Sequence, residues 1–154
     1  MADWSSIVAD IAAQHPVAKS SVKVTFHRAD VLAQPFPAPV GKALEDASLV
    51  VLAFTITELM QASRARTVAL LDLVSAATAT GSRLIVVESA ALARVGSTAL
   101  DGGESVSALL SRALRDSWTL EIGEEDQWYR HSKTSAYPLK LENARVLKHV
   151  YTRR

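Results

Sequence analysis

The stretch Ser48–Met60, SLVVLAFTITELM, decides the fold. Leu49 to Ala53 is an unbroken apolar run with two β-branched valines, and Phe54 extends it. Such a run predicts a short strand buried on both faces, as in the middle of a parallel sheet. Thr55, Thr57 and Glu58 follow, and a helical pattern begins at once. Open α/β sheets place ligands outside the carboxyl ends of their strands. The tip of this strand is therefore the first candidate for a functional spot. The same pattern also suits an ordinary core strand followed by a threonine cap.

Downstream, helical spacing runs from Glu58 to about Thr80, with Val68, Leu71 and Val74 on one stripe and Gly81 suited to the C′ position. Ser82–Ser89, SRLIVVES, is a second buried strand that again ends in polar residues, Glu88 and Ser89. Strand, helix, strand predicts a right-handed crossover and parallel pairing. Ala90–Glu104 carries Gly96, Gly102 and Gly103 and reads as a loop, with a short helix at Ala91–Val95. Val106, Leu109, Leu110, Ala113 and Leu114 mark another amphipathic helix. Trp118–Ile122 reads as a strand, Gly123–Asp126 as an acidic turn, and Trp128–Arg130 as a continuation. Pro138 breaks the chain, and Arg145–Thr152 is a last strand. The expected fold class is α/β, with parallel strands, helices and a C-terminal antiparallel strand pair.

Upstream, Trp4, Ile7, Val8 and Ile11 fall at helical spacing. Ser21–Phe26 alternates apolar and polar positions and predicts a half-exposed strand, with Asp30 at or just after its carboxyl end. Pro35, Pro37 and Pro39 make a loop, and Lys42–Asp46 adds a helical turn. Asp30, Phe54 to Glu58 and Glu88-Ser89 would then share one sheet edge. There they would line a cleft for a nucleotide-like ligand, with Asp30 accepting from an exocyclic amine. Equally, Asp30 caps a turn and Glu88 pairs with an arginine.

With 154 residues, the chain is long enough for one domain with a real core. There is no cysteine, no apolar run of membrane length, and no basic, apolar leader at Met1, which points to an intracellular, non-membrane protein. Net charge is +1, so the whole chain is not an electrostatic glove for nucleic acid. Lys140–Arg154 is locally basic, with Lys140, Arg145, Lys148, Arg153 and Arg154 against Glu142. It reads as a phosphate-touching end or as a solvated terminus. Trp118, Trp128, Tyr129 and Tyr137 would stack on RNA or fill a core. No GxGxxG or P-loop is present, and the four histidines lack metal-ligand spacing, so no metal site is expected.

Taken together, VTFHRADVL, SLVVLAFTITELM, GSRLIVVES, EEDQWYR and YPLKLENARVLKHVYTRR resemble the C-terminal two-thirds of fungal large-subunit ribosomal RNA (uridine-N3) methyltransferases. The resemblance implies a Rossmann-like class I fold, S-adenosylmethionine (SAM) as cofactor, ribosomal RNA as partner, and a nuclear, nucleolar or cytoplasmic location. It places Asp30 at the adenine amino group. Ala53, Phe54 and Thr55 would lie near the methionine part of the cofactor and the incoming base. Asp3 would be near the ribose hydroxyls. Glu58, the one carboxylate close after the central strand, is the candidate base for N3. The family's first two strands and glycine-rich cofactor loop would precede Trp4, so residues 1–154 are expected to form a single, incomplete methyltransferase-like domain. Leu49–Ala53 would then lack one neighbour. Either Val22–Phe26 pairs with it directly, or a partner such as a second copy covers the edge. The alternative function is a truncated, catalytically inactive fragment that acts as an RNA- or protein-binding module.

Overall fold

The computed structural model describes residues 25–93, 104–130 and 143–154. The chain divides into two compact units, Met1–Asp30 and Val31–Arg154. In the first, residues 25–30 carry no regular secondary structure. The strand expected over Ser21–Phe26 is thus absent at Thr25 and Phe26. Its remainder and the Trp4–Ile11 helix lie outside the described residues.

The second unit runs α1 (Ala38–Glu45), β1 (Leu49–Ala53), α2 (Ile56–Ala77), β2 (Arg83–Ser89), α3 (Val106–Leu114), β3 (Trp118–Tyr129) and β4 (Ala144–Arg153). The sheet order is β1-β2-β4-β3. β1 and β2 are parallel, with Leu49 opposite Arg83 and Ala53 opposite Val87. β4 inserts antiparallel between β2 and β3. The result is a mixed α/β sheet with flanking helices, the expected class.

Alternation along the strands sets the core. Leu84, Val86 and Leu147 join Leu71 and Val74 of α2 and Leu109, Leu110 and Leu114 of α3 in one buried cluster. Ser105 caps α3, its side chain accepting from the Ala108 N–H at 3.2 Å. α2 breaks its helical backbone at Ser63, where φ is −168° and ψ 103°. The Ser63 hydroxyl accepts from Arg66 N at 3.4 Å, so it acts as a fresh N-cap for the second half of the helix. Arg64 and Arg112 both pair with Glu104, which links that second half to α3. The Arg112 guanidinium, with Arg64 assisting, holds the Glu104 carboxyl below the usual carboxylate range.

Four expectations change. First, β1 is not buried on both faces. Leu49, Val51 and Ala53 are exposed, and among the described residues β1 pairs only with β2. Second, Pro39 is helical, because in the first turn of α1 no intrahelical N–H is required of it. Third, the long helix ends before Gly81. The Thr78 hydroxyl and N–H both bind the Val74 carbonyl, at 2.7 and 3.2 Å, and Gly81 sits in the following turn with φ 85°. Fourth, Gly123–Asp126 is not a turn. β3 runs through it because each acid finds a partner on β4: Lys148 Nζ lies 2.7 Å from Glu124, His149 Nε2 lies 3.0 Å from Glu125, and Arg145 pairs with Asp126. His149 is buried, with Nδ1 2.9 Å from the Tyr151 hydroxyl. Burial, and then the charge of Glu125, pushes the Tyr151 hydroxyl pKa well above its ordinary value.

Candidate functional site

The site begins where β1 stops. Phe54 N donates to Val87 O at 2.7 Å, which extends the parallel ladder by one bond. Phe54 then turns into the left-handed region, φ 56°, a strained conformation for a bulky residue. The turn throws its ring outward, and 53% of the residue is exposed. Thr55 follows as the N-cap position of α2, yet its side chain makes no capping bond.

Glu88, at the tip of β2, takes that role instead. Its Oε1 accepts from Ile56 N at 2.5 Å and Thr57 N at 3.3 Å, and its Oε2 accepts from the Thr57 hydroxyl at 3.1 Å. It is 1% exposed. A carboxylate at a helix N-terminus satisfies orphan donors and meets the positive end of the macrodipole. Glu88 is therefore neither a cleft-lining ligand group nor the partner of an arginine. Thr55 Oγ1, displaced from capping, is buried without a hydrogen-bond partner among the described residues.

Beside this tip lies an open cleft of about 340 Å³ at the carboxyl ends of the parallel strands. Phe54 lines it from β1, and Ser89, Ala90 and Ala91 from the end of β2. Asp126 of β3 and Ala144-Arg145 of β4 complete it. Of the strand-end residues singled out in the sequence, Phe54 and Ser89 line the cleft, and Phe54 is flanked in the chain by exposed Ala53 and partly buried Thr55. Glu58 is exposed one turn into α2 and is not among the lining residues. Asp30 is exposed at the end of the first unit, and Asp3 lies outside the described residues. Asp126 and Arg145 were missed, since a turn was expected where β3 runs on.

The basic C-terminal end is committed internally. Arg145 pairs with Asp126 and Lys148 with Glu124. Arg153 donates to Ser75 O at 2.9 Å and Ser117 O at 2.7 Å, and Arg154 Nε to Thr119 Oγ1 at 3.1 Å. Lys140 lies outside the described residues. Trp118 is buried, its Nε1 donating to Ser75 Oγ at 2.8 Å, so it is core and not an RNA platform. Trp128 and Tyr129 are exposed at the cleft end of β3. Among the described residues, no group of three or more His, Asp or Glu is placed to hold a metal ion, and no helix is long and apolar enough to cross a membrane.

A family model described as "Putative SAM-dependent methyltransferase" matches residues 1–152. The chain belongs to this family. No curated protein matches the sequence. The mixed sheet and flanking helices are consistent with the Rossmann-like class I fold of SAM-dependent methyltransferases.

The residues at the β1 tip fit a SAM-dependent methyltransferase. The backbone turns sharply outward at Phe54, and Thr55 offers a buried hydroxyl that nothing described satisfies. The strain at Phe54 is separable from its ring. Phe54→Gly relieves a left-handed conformation worth about 1–2 kcal/mol and adds about 0.5–1 kcal/mol of unfolded-state entropy. Its urea midpoint is expected to correspond to a gain of between zero and about 1.5 kcal/mol, while the cleft loses its aromatic wall. A net loss of stability would show that the exposed ring is packed in solution.

Proposed function

We propose that this chain serves SAM-dependent methylation of N3 of a uridine in large-subunit ribosomal RNA. Family membership supports methyl transfer in general. The finer target is supported by the FTITEL turn and the WYR and YPLKLEN segments that resemble the uridine-N3 enzymes. The observation that carries the reading is the cleft at the carboxyl ends of β1 and β2, with an exposed phenyl ring on its rim.

SAM, when bound, supplies an already activated methyl group, so the protein's work is alignment and removal of one proton. Ala53, Phe54 and Thr55 would hold the methionine part; the resemblance alone gives Asp30 the adenine amino group and Asp3 the ribose hydroxyls. The Phe54 ring lies against the face of the base. The Glu58 carboxylate would take the N3 proton of the base, the one proton the protein has to remove.

The test is incorporation of labelled methyl from SAM into RNA, followed by nucleoside analysis for 3-methyluridine. Glu58→Gln is expected to lower that rate about 10²–10⁴-fold while the SAM affinity from calorimetry stays within about twofold. An unchanged rate removes Glu58 from the mechanism. Absence of any SAM binding heat overturns methyl transfer by this chain and favours the inactive binding module.

A further inference from the structure

The far wall of the cleft is built in an unusual way. The β3–β4 register places Glu124 opposite Lys148 and Gln127 opposite Val146, so β3 carries one extra residue in between. Such a bulge re-aims side chains and is enriched beside active sites. Here it falls at Glu125-Asp126. Asp126 pairs with Arg145, and Trp128 stands directly opposite Arg145 in the register. The Arg145 guanidinium carbon lies 5.5 Å from the centre of the Trp128 ring. One arginine is thus layered on an indole and tied to a carboxylate, and it borders the same cleft as Phe54.

An arginine held twice is costly to order for mere surface charge. A free exposed pair contributes at most about 1 kcal/mol. Its planar fork carries five N–H donors, and the ion pair to Asp126 is made through Nη2. Arg145 itself lines the cleft, its planar fork fixed by the carboxylate and the indole. Phe54 offers an aromatic face on the β1 side, and the small side chains of Ala90, Ala91 and Ala144 leave room between. A flat ring with carbonyl oxygens on its edge matches that arrangement.

We infer that Arg145, oriented by Trp128 and Asp126, is the specificity-determining residue of the cleft, donating to the carbonyl edge of a planar acceptor base stacked on Phe54. The inference rests on the proposed RNA reading for the source of that base. It adds the group that reads it.

The experiment titrates the full chain with fluorescein-labelled pentauridylate, and with a pentamer of the same backbone lacking bases, by anisotropy. Arg145→Met is expected to weaken pentauridylate binding about tenfold, as befits loss of a charge-assisted hydrogen bond to a base carbonyl. Arg145→Lys should lose nearly as much, because an ammonium has no planar fork. Trp128→Ala should weaken binding about fivefold or more. The base-free pentamer should bind the wild type weakly and be indifferent to all three changes. The inference is overturned if Arg145→Lys binds as well as wild type, if the base-free pentamer loses the same factor, or if pentauridylate does not bind. SAM calorimetry on the same proteins separates the two claims. Silence toward SAM with the expected RNA pattern sinks the methyltransferase reading and leaves Arg145 standing. Normal SAM binding in every variant with no effect of Arg145→Met sinks the inference alone.

Discussion

Glu88→Ala is expected to lower stability by about 2–4 kcal/mol, read as a shift of the urea midpoint at constant slope. The side chain is almost wholly buried, and it holds two backbone N–H groups and a hydroxyl at the start of α2. Alanine leaves all three without a partner in a place water reaches poorly. Hydrogen bonds to a charged acceptor contribute about 1.5–3 kcal/mol each, and partial entry of water returns some of the loss. The helix also loses its charge at the positive end of its dipole. Glu88→Gln keeps one acceptor oxygen and should lose about half as much. A Glu88→Ala protein within about 0.5 kcal/mol of wild type would mean that the cap is not formed in solution. The expectation matters for function because α2 starts directly after Phe54 and Thr55. A frayed first turn would misplace both, so on the proposed function the alanine variant should lose SAM binding along with stability.

Two tryptophans ten residues apart on β3 should respond very differently. Trp118→Ala is expected to cost about 3–5 kcal/mol in calorimetry or urea, the range for removing a large aromatic from a core. It is 2% exposed, donates to Ser75, and lies under Arg153, whose guanidinium carbon is 5.9 Å from the ring centre. Removing it leaves a cavity, a Ser75 hydroxyl that keeps its bond to Leu71 O but loses the indole donor, and a less ordered C-terminal arginine. Trp128→Ala removes a half-exposed ring at the open end of the same strand and should change stability by about 0.5 kcal/mol or less. Comparable losses at both positions would contradict the assignment of one ring to the core and the other to the exposed end of the strand.

The contrast shows where sequence reading succeeds. An indole at the start of a strand looks the same as one near its end. Only the strand's partners tell them apart. Trp118 faces Arg153 and Ser75, the latter from the middle of α2, whereas Trp128 faces Arg145 at the mouth of the cleft. Glu88 carries the same lesson. A carboxylate at a strand tip is a fair candidate ligand, but its role was fixed by a helix that starts 32 residues earlier and needed a cap. The acidic run Gly123–Asp126 looked like a turn because glycine and consecutive acids disfavour strands in isolation. Cations on β4, about twenty residues on, turned it into ladder.

What the chain determined locally was the apolar run Leu49–Ala53, the second run within Arg83–Ser89, the helix between them and the amphipathic helix Val106–Leu114. Those depend on spacing within a dozen residues, and periodic burial makes spacing sufficient. From them the parallel pairing follows through the handed crossover. Tertiary structure alone decided that β1 shows one face to solvent, that Glu88 is a cap and not a ligand, and that Arg145 is layered on Trp128 beside Phe54. Each of these is a contact between residues far apart in the chain, and its free energy exists only once the sheet has brought them together.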